Sequence, residues 1–574
     1  MSDTSKNLKQ VHIAAILNVC RRGDHEFLEK FIKAGGNLEV ILDELKRNCL
    51  IYCSEGDEKN DNCVEEFPGG RLKCAEIILK NFPKLAKAYD SNGMTVIHHA
   101  VAHDNFVLLK LLQNQQVDLT QITVKGEANK NFVYSRNIIH LAIIYGKDSL
   151  LEKLITMTKS SIDINDRDSN STSALHYAVQ QTDDLSMKMI KTLLKQGHAE
   201  INLADNHQRT PIIWAMTIGN VVAVRTLLKS GADYRLCDEA GLSPLHCAAS
   251  QGFIRCIDEL FGFLKRKGNI IRELCNKEDI DSCIALFYSV TMGNHIVTDR
   301  LLEYGSNIRK RDKKLRTALH CATRPQDSVI VVKQMQSLIK NDVEIWARNV
   351  AGESALHEAC RLGNEDFVNE MKNLANFTQH IDDNTYDGKN PVMITVDGLL
   401  GAKDNEAMAQ SYVKILEILL NENCDVNNYI KLIREGPDKK KVISNCTVVD
   451  QLQYSKDENP HILKALKMIR DSGGRPYMEF EKYNVIEESD IARPESTHDM
   501  EIVEKSYLKE VEETTKELQT TETVKNQSKD STYDMSKNTG TKLDFPSDTD
   551  EGGMIDLRIL HTLRESTWGR NTIP

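Results

Sequence analysis

One sequence pattern recurs along most of the chain and constrains its fold more than any other feature. A short polar residue is followed by two or three apolar positions, a histidine, and an alanine two residues further on, as in the segment from Thr95 to Ala100. The histidines of this pattern are His98, His140, His176, His246, His320 and His357. Because Ser, Thr and Asn accept backbone N–H bonds at helix N-termini, each occurrence predicts the start of a short helix. Such repetition predicts a series of similar units rather than several unrelated domains.

The same frame continues where another residue replaces the histidine. The twelve frame positions are Leu17, Leu50, His98, His140, His176, Ile213, His246, Phe287, His320, His357, Met393 and Asp450. The shortest spacing between neighbours is 33 residues, and it recurs. The longer spacings predict insertions at 57–70, 121–136, 262–281 and 427–445.

Each unit carries further signals at fixed offsets from the frame position. Glycine often stands six residues after it, as at Gly219, where a left-handed residue can end a helix. Apolar residues at helical spacing follow, which predicts a second helix. Aspartate often stands eight residues before it, as at Asp312, which predicts a tight turn. The predicted unit is therefore a helical hairpin joined to its neighbour by a finger-like turn.

These features together resemble the ankyrin-repeat family. The resemblance implies an all-α repeat solenoid of stacked helix-turn-helix units with hairpin fingers, about twelve repeats over residues 8–480, after an N-terminal tail at 1–7. The first and last repeats depart from the pattern and are predicted to be caps. A long array with degenerate ends is also similar to inversin-type scaffolds.

The charge of the chain is concentrated after the array. Residues 487–551 hold 18 acidic and 8 basic residues, so they carry nearly all of the net charge of −11. They also hold 17 Ser or Thr and few aromatic residues, a composition that favours disorder. We therefore predict a disordered acidic Ser/Thr-rich tail at 481–551 and a C-terminal short motif at 552–574.

Reactive chemistry is not indicated by any motif. The frame histidines lie a whole repeat apart, so hydrogen bonds that tie fingers to helices are expected of them rather than metal binding. The sequence contains no phosphate-binding loop, zinc-protease helix or nucleophile elbow. We therefore predict no enzyme, and no catalytic, cofactor-binding or metal-binding residues and no cofactor.

Basic residues concentrate in the finger between the frame positions Phe287 and His320. They are Arg309, Lys310, Arg311, Lys313, Lys314 and Arg316. A solvated turn, a contact with an acidic partner and a nuclear-import signal all fit this run. These six residues are the candidate partner-binding residues.

The resemblance implies a non-enzymatic scaffold or adaptor that holds partner proteins on the ankyrin groove, in an inversin-like ciliary or kinase complex. The alternative is an inhibitor of a transcription factor, similar to the NF-kappa-B inhibitors, with the acidic tail as masking or degradation segment. The expected partners are other proteins, including ones with acidic segments, and neither nucleic acid nor membrane insertion is expected. Scattered cysteines and the lack of a long apolar run favour a reduced cytoplasmic protein, with nucleus and cilium as alternatives.

A continuous array predicts a specific proteolysis pattern. Mild digestion of the full chain should leave a stable fragment near residues 8–480, because stacked hairpins bury the backbone that proteases need. Mass spectrometry of the fragments measures this. Early cleavage inside several helical hairpins would contradict a single array.

Overall fold

A computed structural model describes residues 2–55, 69–125, 135–265, 268–324, 327–402, 405–435, 441–455 and 459–477. Residues up to Gly474 belong to one compact unit. The predicted acidic tail, the C-terminal motif and nearly all of the insertion at 57–70 lie outside the described residues.

The described part of the chain is mainly helical. Its helices are α1 (Ser2–Arg22), α2 (His25–Lys33), α3 (Cys49–Tyr52), α4 (Gly70–Asn81), α5 (Val96–Ala102), α6 (Phe106–Asn114), α7 (Ile138–Ile144), α8 (Asp148–Thr158), α9 (Ala174–Val179), α10 (Asp183–Lys195), α11 (Pro211–Ile218), α12 (Val221–Lys229), α13 (Pro244–Gln251), α14 (Ile254–Leu264), α15 (Gly268–Cys275), α16 (Ala285–Thr291), α17 (His295–Glu303), α18 (Ala318–Cys321), α19 (Ser328–Lys340), α20 (Ala355–Leu362), α21 (Glu365–Lys372), α22 (Phe377–His380), α23 (Pro391–Gly401), α24 (Glu406–Asn421), α25 (Val448–Tyr454) and α26 (Pro460–Asp471). Two 3₁₀ helices span Leu38–Val40 and Pro83–Lys87, and two strands are β1 (Tyr429–Glu435) and β2 (Lys441–Thr447).

The local signals of the repeat are confirmed. The predicted cap residues immediately precede the first helices of their units, as Ser243 precedes α13 and Ser354 precedes α20. The predicted turn glycines adopt the left-handed conformation, with φ of 79° at Gly219 and 69° at Gly363. A second helix follows each first helix, so two helices accompany every frame position. The repeat fold expected from the sequence is therefore present.

Neighbouring units pack helix against equivalent helix. The first helix α13 contacts α11 and α16, the first helices on either side, and the second helix α12 contacts α10 and α14. One apolar core runs through the units, with Leu245, Phe287 and Leu319 almost fully buried. Because each hairpin exposes an apolar face that only its neighbour covers, stacking supplies the core.

Asparagine side chains tie one unit to the next. The amide nitrogen of Asn220 donates to the carbonyls of Val179 (2.8 Å) and Gln181 (3.1 Å) in the preceding unit. Its amide oxygen accepts from the backbone N–H of Ala223 (2.9 Å) and so caps α12. The side chain thus begins one helix and satisfies the free carbonyls that end another. Asn294 donates in the same way to Ala249 and Ser250.

Two of the insertions contain secondary structure in their described residues. The insertion at 262–281 contains α15, and the insertion at 427–445 contains β1 and most of β2, which pair antiparallel in a hairpin. Tyr429 faces Thr447 and Glu435 faces Lys441 across that hairpin. The expected all-α fold therefore has one small β element. At the other end, α1 begins at Ser2 and includes most of the segment predicted as an N-terminal tail.

Replacement of Asn220 should weaken the junction between two units. Asn220→Ala removes three hydrogen bonds and leaves buried carbonyls without their donor, so the free energy of unfolding should fall by about 1–3 kcal/mol. Urea unfolding followed by circular dichroism measures this, with Asn206→Ala at an exposed finger residue as the control. An equal effect of the two substitutions would contradict the role of Asn220.

Candidate protein-binding surface

Seven of the described finger turns are each closed by one carboxylate or amide oxygen, whereas the turn at Thr385 uses its hydroxyl oxygen. In the turn that begins at Asp279, Oδ1 accepts from the backbone N–H groups of Asp281 (2.8 Å) and Cys283 (2.8 Å). The same pair of bonds recurs at Asp90, Asp168, Asp205, Asp238, Asp312 and Asn349. These side chains replace backbone partners that a tight turn lacks, so the predicted turn role of the aspartates is confirmed.

The second carboxylate oxygen of several of these aspartates holds the finger against its own helix. Tyr288 donates its hydroxyl to Asp279 Oδ2 (2.5 Å), and Trp214 donates its indole N–H to Asp205 Oδ2 (3.0 Å). The sequence prediction missed this contact. A detectable signal existed, since the aromatic donor follows the aspartate by nine residues in both cases.

Five of the six frame histidines, all except His140, bridge two neighbouring units. Nδ1 of His246 accepts the backbone N–H of Ser243 (3.2 Å), so its Nε2–H donates to the carbonyl of Cys283 (3.2 Å) in the next finger. His320 makes the equivalent bonds to Thr317 and to the carbonyl of Glu353. This arrangement confirms that these histidines tie fingers to helices.

Burial keeps these histidines neutral. Desolvation lowers the pKa of His98, His140, His176 and His357 to about 4 and that of His320 to about 3, and it also lowers the pKa of His246. Burial likewise raises the pKa of several thiols to about 12, among them Cys247, Cys321 and Cys360. These imidazoles are neutral and these thiols are protonated, which suits them to structure rather than to reaction. Both ring nitrogens are hydrogen-bonded in each of these histidines except His140, whose Nε2 has no partner among the described residues.

The fingers are joined to one another edge to edge. Backbone N–H groups donate from Ile280 to Ala240 (3.3 Å), Lys313 to Asp281 (3.0 Å), Val350 to Lys314 (3.0 Å) and Tyr386 to Ala351 (3.0 Å). Similar bonds join Asn206 to Asn170 and Glu239 to His207. The finger tips therefore form a fixed, hydrogen-bonded ladder on which exposed side chains are held at regular intervals.

The six predicted basic residues have different surroundings within this ladder. Arg316 is 6% exposed and pairs with Asp312 (2.8 Å), so it supports the finger from inside. Lys310 pairs with Glu278 (2.6 Å) and Arg311 with Glu344 (2.5 Å), both in neighbouring units. Arg309, Lys313 and Lys314 are exposed, and in the part of the chain that the structure describes none of the three forms a salt bridge. These three remain the predicted residues most accessible to a partner.

Exposed apolar side chains flank the basic finger. Ile280 is 48% exposed, Leu315 42%, Val350 48% and Tyr386 57%. The sequence prediction relied on a run of basic residues, so it could not identify these apolar residues. We name the six exposed residues Ile280, Lys313, Lys314, Leu315, Val350 and Tyr386 the finger-tip patch.

A sequence signal for the patch is visible once the fingers are aligned. The residue after the turn aspartate, or its equivalent, is polar in earlier fingers, at Ser91, Ser169, Asn206 and Glu239. In the later fingers it is Ile280, Lys313, Val350 and Tyr386. The change of residue type falls in the middle of the array, so the later fingers differ in surface chemistry from the earlier ones.

The comparisons with known proteins agree with this fold. A family model described as ankyrin repeats in three copies matches residues 175–264. Inversin from Canis lupus familiaris is 26% identical over 261 residues, which are 44% of this chain and 21% of inversin. The ankyrin repeat protein nuc-2 from Neurospora crassa is 25% identical over 308 residues, which are 52% of this chain and 27% of nuc-2.

Two solved structures are similar to part of this chain. The ankyrin repeat domain of human ASB11 is 27% identical with a TM-score of 0.32, and the match covers 38% of this chain and 90% of that domain. The ankyrin repeat domain of Bcl-3, a member of the IkappaB protein family, is 20% identical with a TM-score of 0.32, and the match covers 38% of this chain and 91% of that one.

The helical hairpins, the finger turns and the matched model define one class of protein: the chain contains ankyrin repeats. Ankyrin repeats bind other proteins and are generally non-enzymatic scaffolds. More particularly, the chain has weak homology to inversin and to other ankyrin repeat proteins, and it spans about a fifth to a quarter of the length of inversin and nuc-2.

Among the described helices, none combines the length and the apolar character needed to cross a bilayer. In the described ranges, His, Cys, Asp and Glu side chains form no cluster of three or more that could hold a metal ion.

The buried histidines predict a loss of stability in mild acid. A histidine with a native pKa of about 4 binds its proton at higher pH once unfolded, since its ordinary pKa is 6.5. Its contribution is complete above pH 6.5 and falls as the pH drops towards 4, by about 3 kcal/mol for a shift of that size. Urea midpoints between pH 7.5 and 4.5 measure this.

The variant His176→Gln isolates one contribution. Glutamine cannot take up a proton, so the urea midpoint of this variant should depend less steeply on pH than that of the natural chain. A midpoint that stays constant between pH 7 and 5 in the natural chain would contradict the prediction.

Proposed function

We propose that this chain is a scaffold or adaptor that holds partner proteins against its finger tips, mainly between Asp279 and Tyr386. The observation that carries the proposal is the combination of a rigid ladder with exposed apolar and basic side chains on consecutive fingers. Large exposed apolar patches rimmed by polar residues are typical of protein-binding sites. A rigid surface also loses little conformational entropy on binding.

The electrostatics favour partners with acidic segments. Arg309, Lys313 and Lys314 present positive charge on one finger, and charge complementarity increases both association rate and selectivity.

The proposed location is cytoplasmic, and the similarity to inversin supports the cilium as a second location. We further propose assembly into a ciliary or kinase complex of the inversin type as the role of this scaffold.

Site-specific crosslinking tests the proposal in the full chain. A photoreactive phenylalanine at Val350 should give covalent adducts with partner proteins in cells. The same group at Ile296, an apolar residue of α17 that is 59% exposed, is the matched control and should give few. Equal adduct formation at both positions, or none at Val350, would reject the finger surface. Identification of the adducts also separates the roles, since DNA-binding factors would favour an inhibitor of transcription.

A further inference from the structure

Leu315 has a backbone conformation that leucine rarely adopts. Its φ is 56°, in the left-handed region where a Cβ atom causes steric strain. The same turn position is glycine in four other fingers, at Gly93, Gly241, Gly352 and Gly388, and polar in four more, at Lys46, Ser171, Gln208 and Ser282, all with positive φ. Leu315 is the apolar side chain at this position among the described fingers. The fold therefore tolerates glycine here, yet this finger carries a bulky side chain.

Leu315 lies outside the apolar core despite this strain. Its side chain is 42% exposed, next to Lys313 and Lys314, which are also exposed. A strained residue that contributes little to the core indicates a requirement other than stability. The neighbouring fingers add exposed apolar side chains at Ile280 and Val350.

Charge changes sign along the ladder. The finger with Lys313 and Lys314 is basic, whereas Glu239 is exposed on an earlier finger and Asp387 on a later one. A complementary partner therefore needs carboxylates at its centre rather than along its whole length. Apolar side chains opposite Ile280, Val350 and Tyr386 would lie on both sides of that centre.

We infer that the finger-tip patch binds an extended protein segment in which apolar side chains flank a cluster of Asp or Glu, with Leu315 as its central apolar contact. This inference rests on the proposed function and specifies the class of partner. Each finger has two chain arms, and neighbouring chains in a sheet lie about 4.8 Å apart, so one finger occupies about 10 Å along the ladder. An extended peptide rises about 3.3 Å per residue. Each finger therefore corresponds to about three residues of the bound segment.

A designed peptide tests this binding. The probe is a fluorescein-labelled twelve-residue peptide with leucine at every third position. The other positions are glutamate in the central half of the peptide and serine in its two end quarters. Fluorescence anisotropy with the full chain should show binding that weakens as salt is raised. A peptide with lysine in place of glutamate, and one with serine in place of leucine, should each bind at least about tenfold more weakly.

Leu315→Gly separates binding from folding. This variant should raise the urea midpoint because it removes the strain, and it should weaken binding of the probe about tenfold or more. Gln208→Gly is the matched control, since Gln208 has φ of 59° at the same position of a finger outside the patch. It should also raise the midpoint but leave probe affinity within twofold.

Charge reversal supplies an independent readout. Lys313→Glu with Lys314→Glu should weaken probe binding at least tenfold and remove its salt dependence. Absence of probe binding to the natural chain, or equal binding by Leu315→Gly, would overturn the inference. Self-association that Leu315→Gly abolishes would also overturn it by assigning the patch to a second copy. Adducts at Val350 would still support the proposed function in these cases, so the two failures are distinguishable.

Discussion

The structure depends on one repeated interaction, the buried neutral histidine that joins a helix cap to the next finger. His246 accepts one backbone N–H within its own unit and donates to a backbone carbonyl in the following unit. Both bonds require an uncharged imidazole with its proton on Nε2, and burial enforces that state by lowering the pKa. The helix start and the junction with the next finger are therefore fixed by the same side chain.

Further contacts join neighbouring units, including the units framed by Ile213 and Phe287, which lack the histidine. Once the finger is placed, its aspartate can accept from an aromatic side chain of its own helix, and its backbone can donate to the preceding finger. Asn220 and Asn294 then satisfy carbonyls on the helical side of the junction. Since helical and finger sides are both joined, exposed finger side chains are held in a defined order along the array. In the proposed function, that order makes surface chemistry, rather than the shape of a pocket, the basis for selecting partners.

Much of the repeat could be predicted because its signals are local. A cap residue such as Ser243 and its histidine lie within four positions of each other, so the hydrogen bonds that they make depend little on distant chain. Asp312 and Arg316 also form a local pair four residues apart, as Asp205 and Arg209 do. The run of basic residues in the sequence nevertheless indicated only a cluster of positive charge and did not reveal this pair. Burial of Arg316 and exposure of Leu315 depend on which way the turn presents each residue. Neither α15 nor the β1–β2 hairpin has a counterpart in the repeat, so the repeat pattern could not predict them.

The histidine bridge has a consequence for how such an array can change over generations. In the five bridges that the structure describes, its acceptor in the next unit is a main-chain oxygen, supplied by Gln121, Arg209, Cys283, Glu353 or Asp383, whose side chains range from a thiol to a guanidinium. A duplicated or deleted unit would therefore still find an acceptor at its new border. Gene duplication can lengthen the array without compensating substitutions at the junction, and the finger tips of each new copy remain free to diverge.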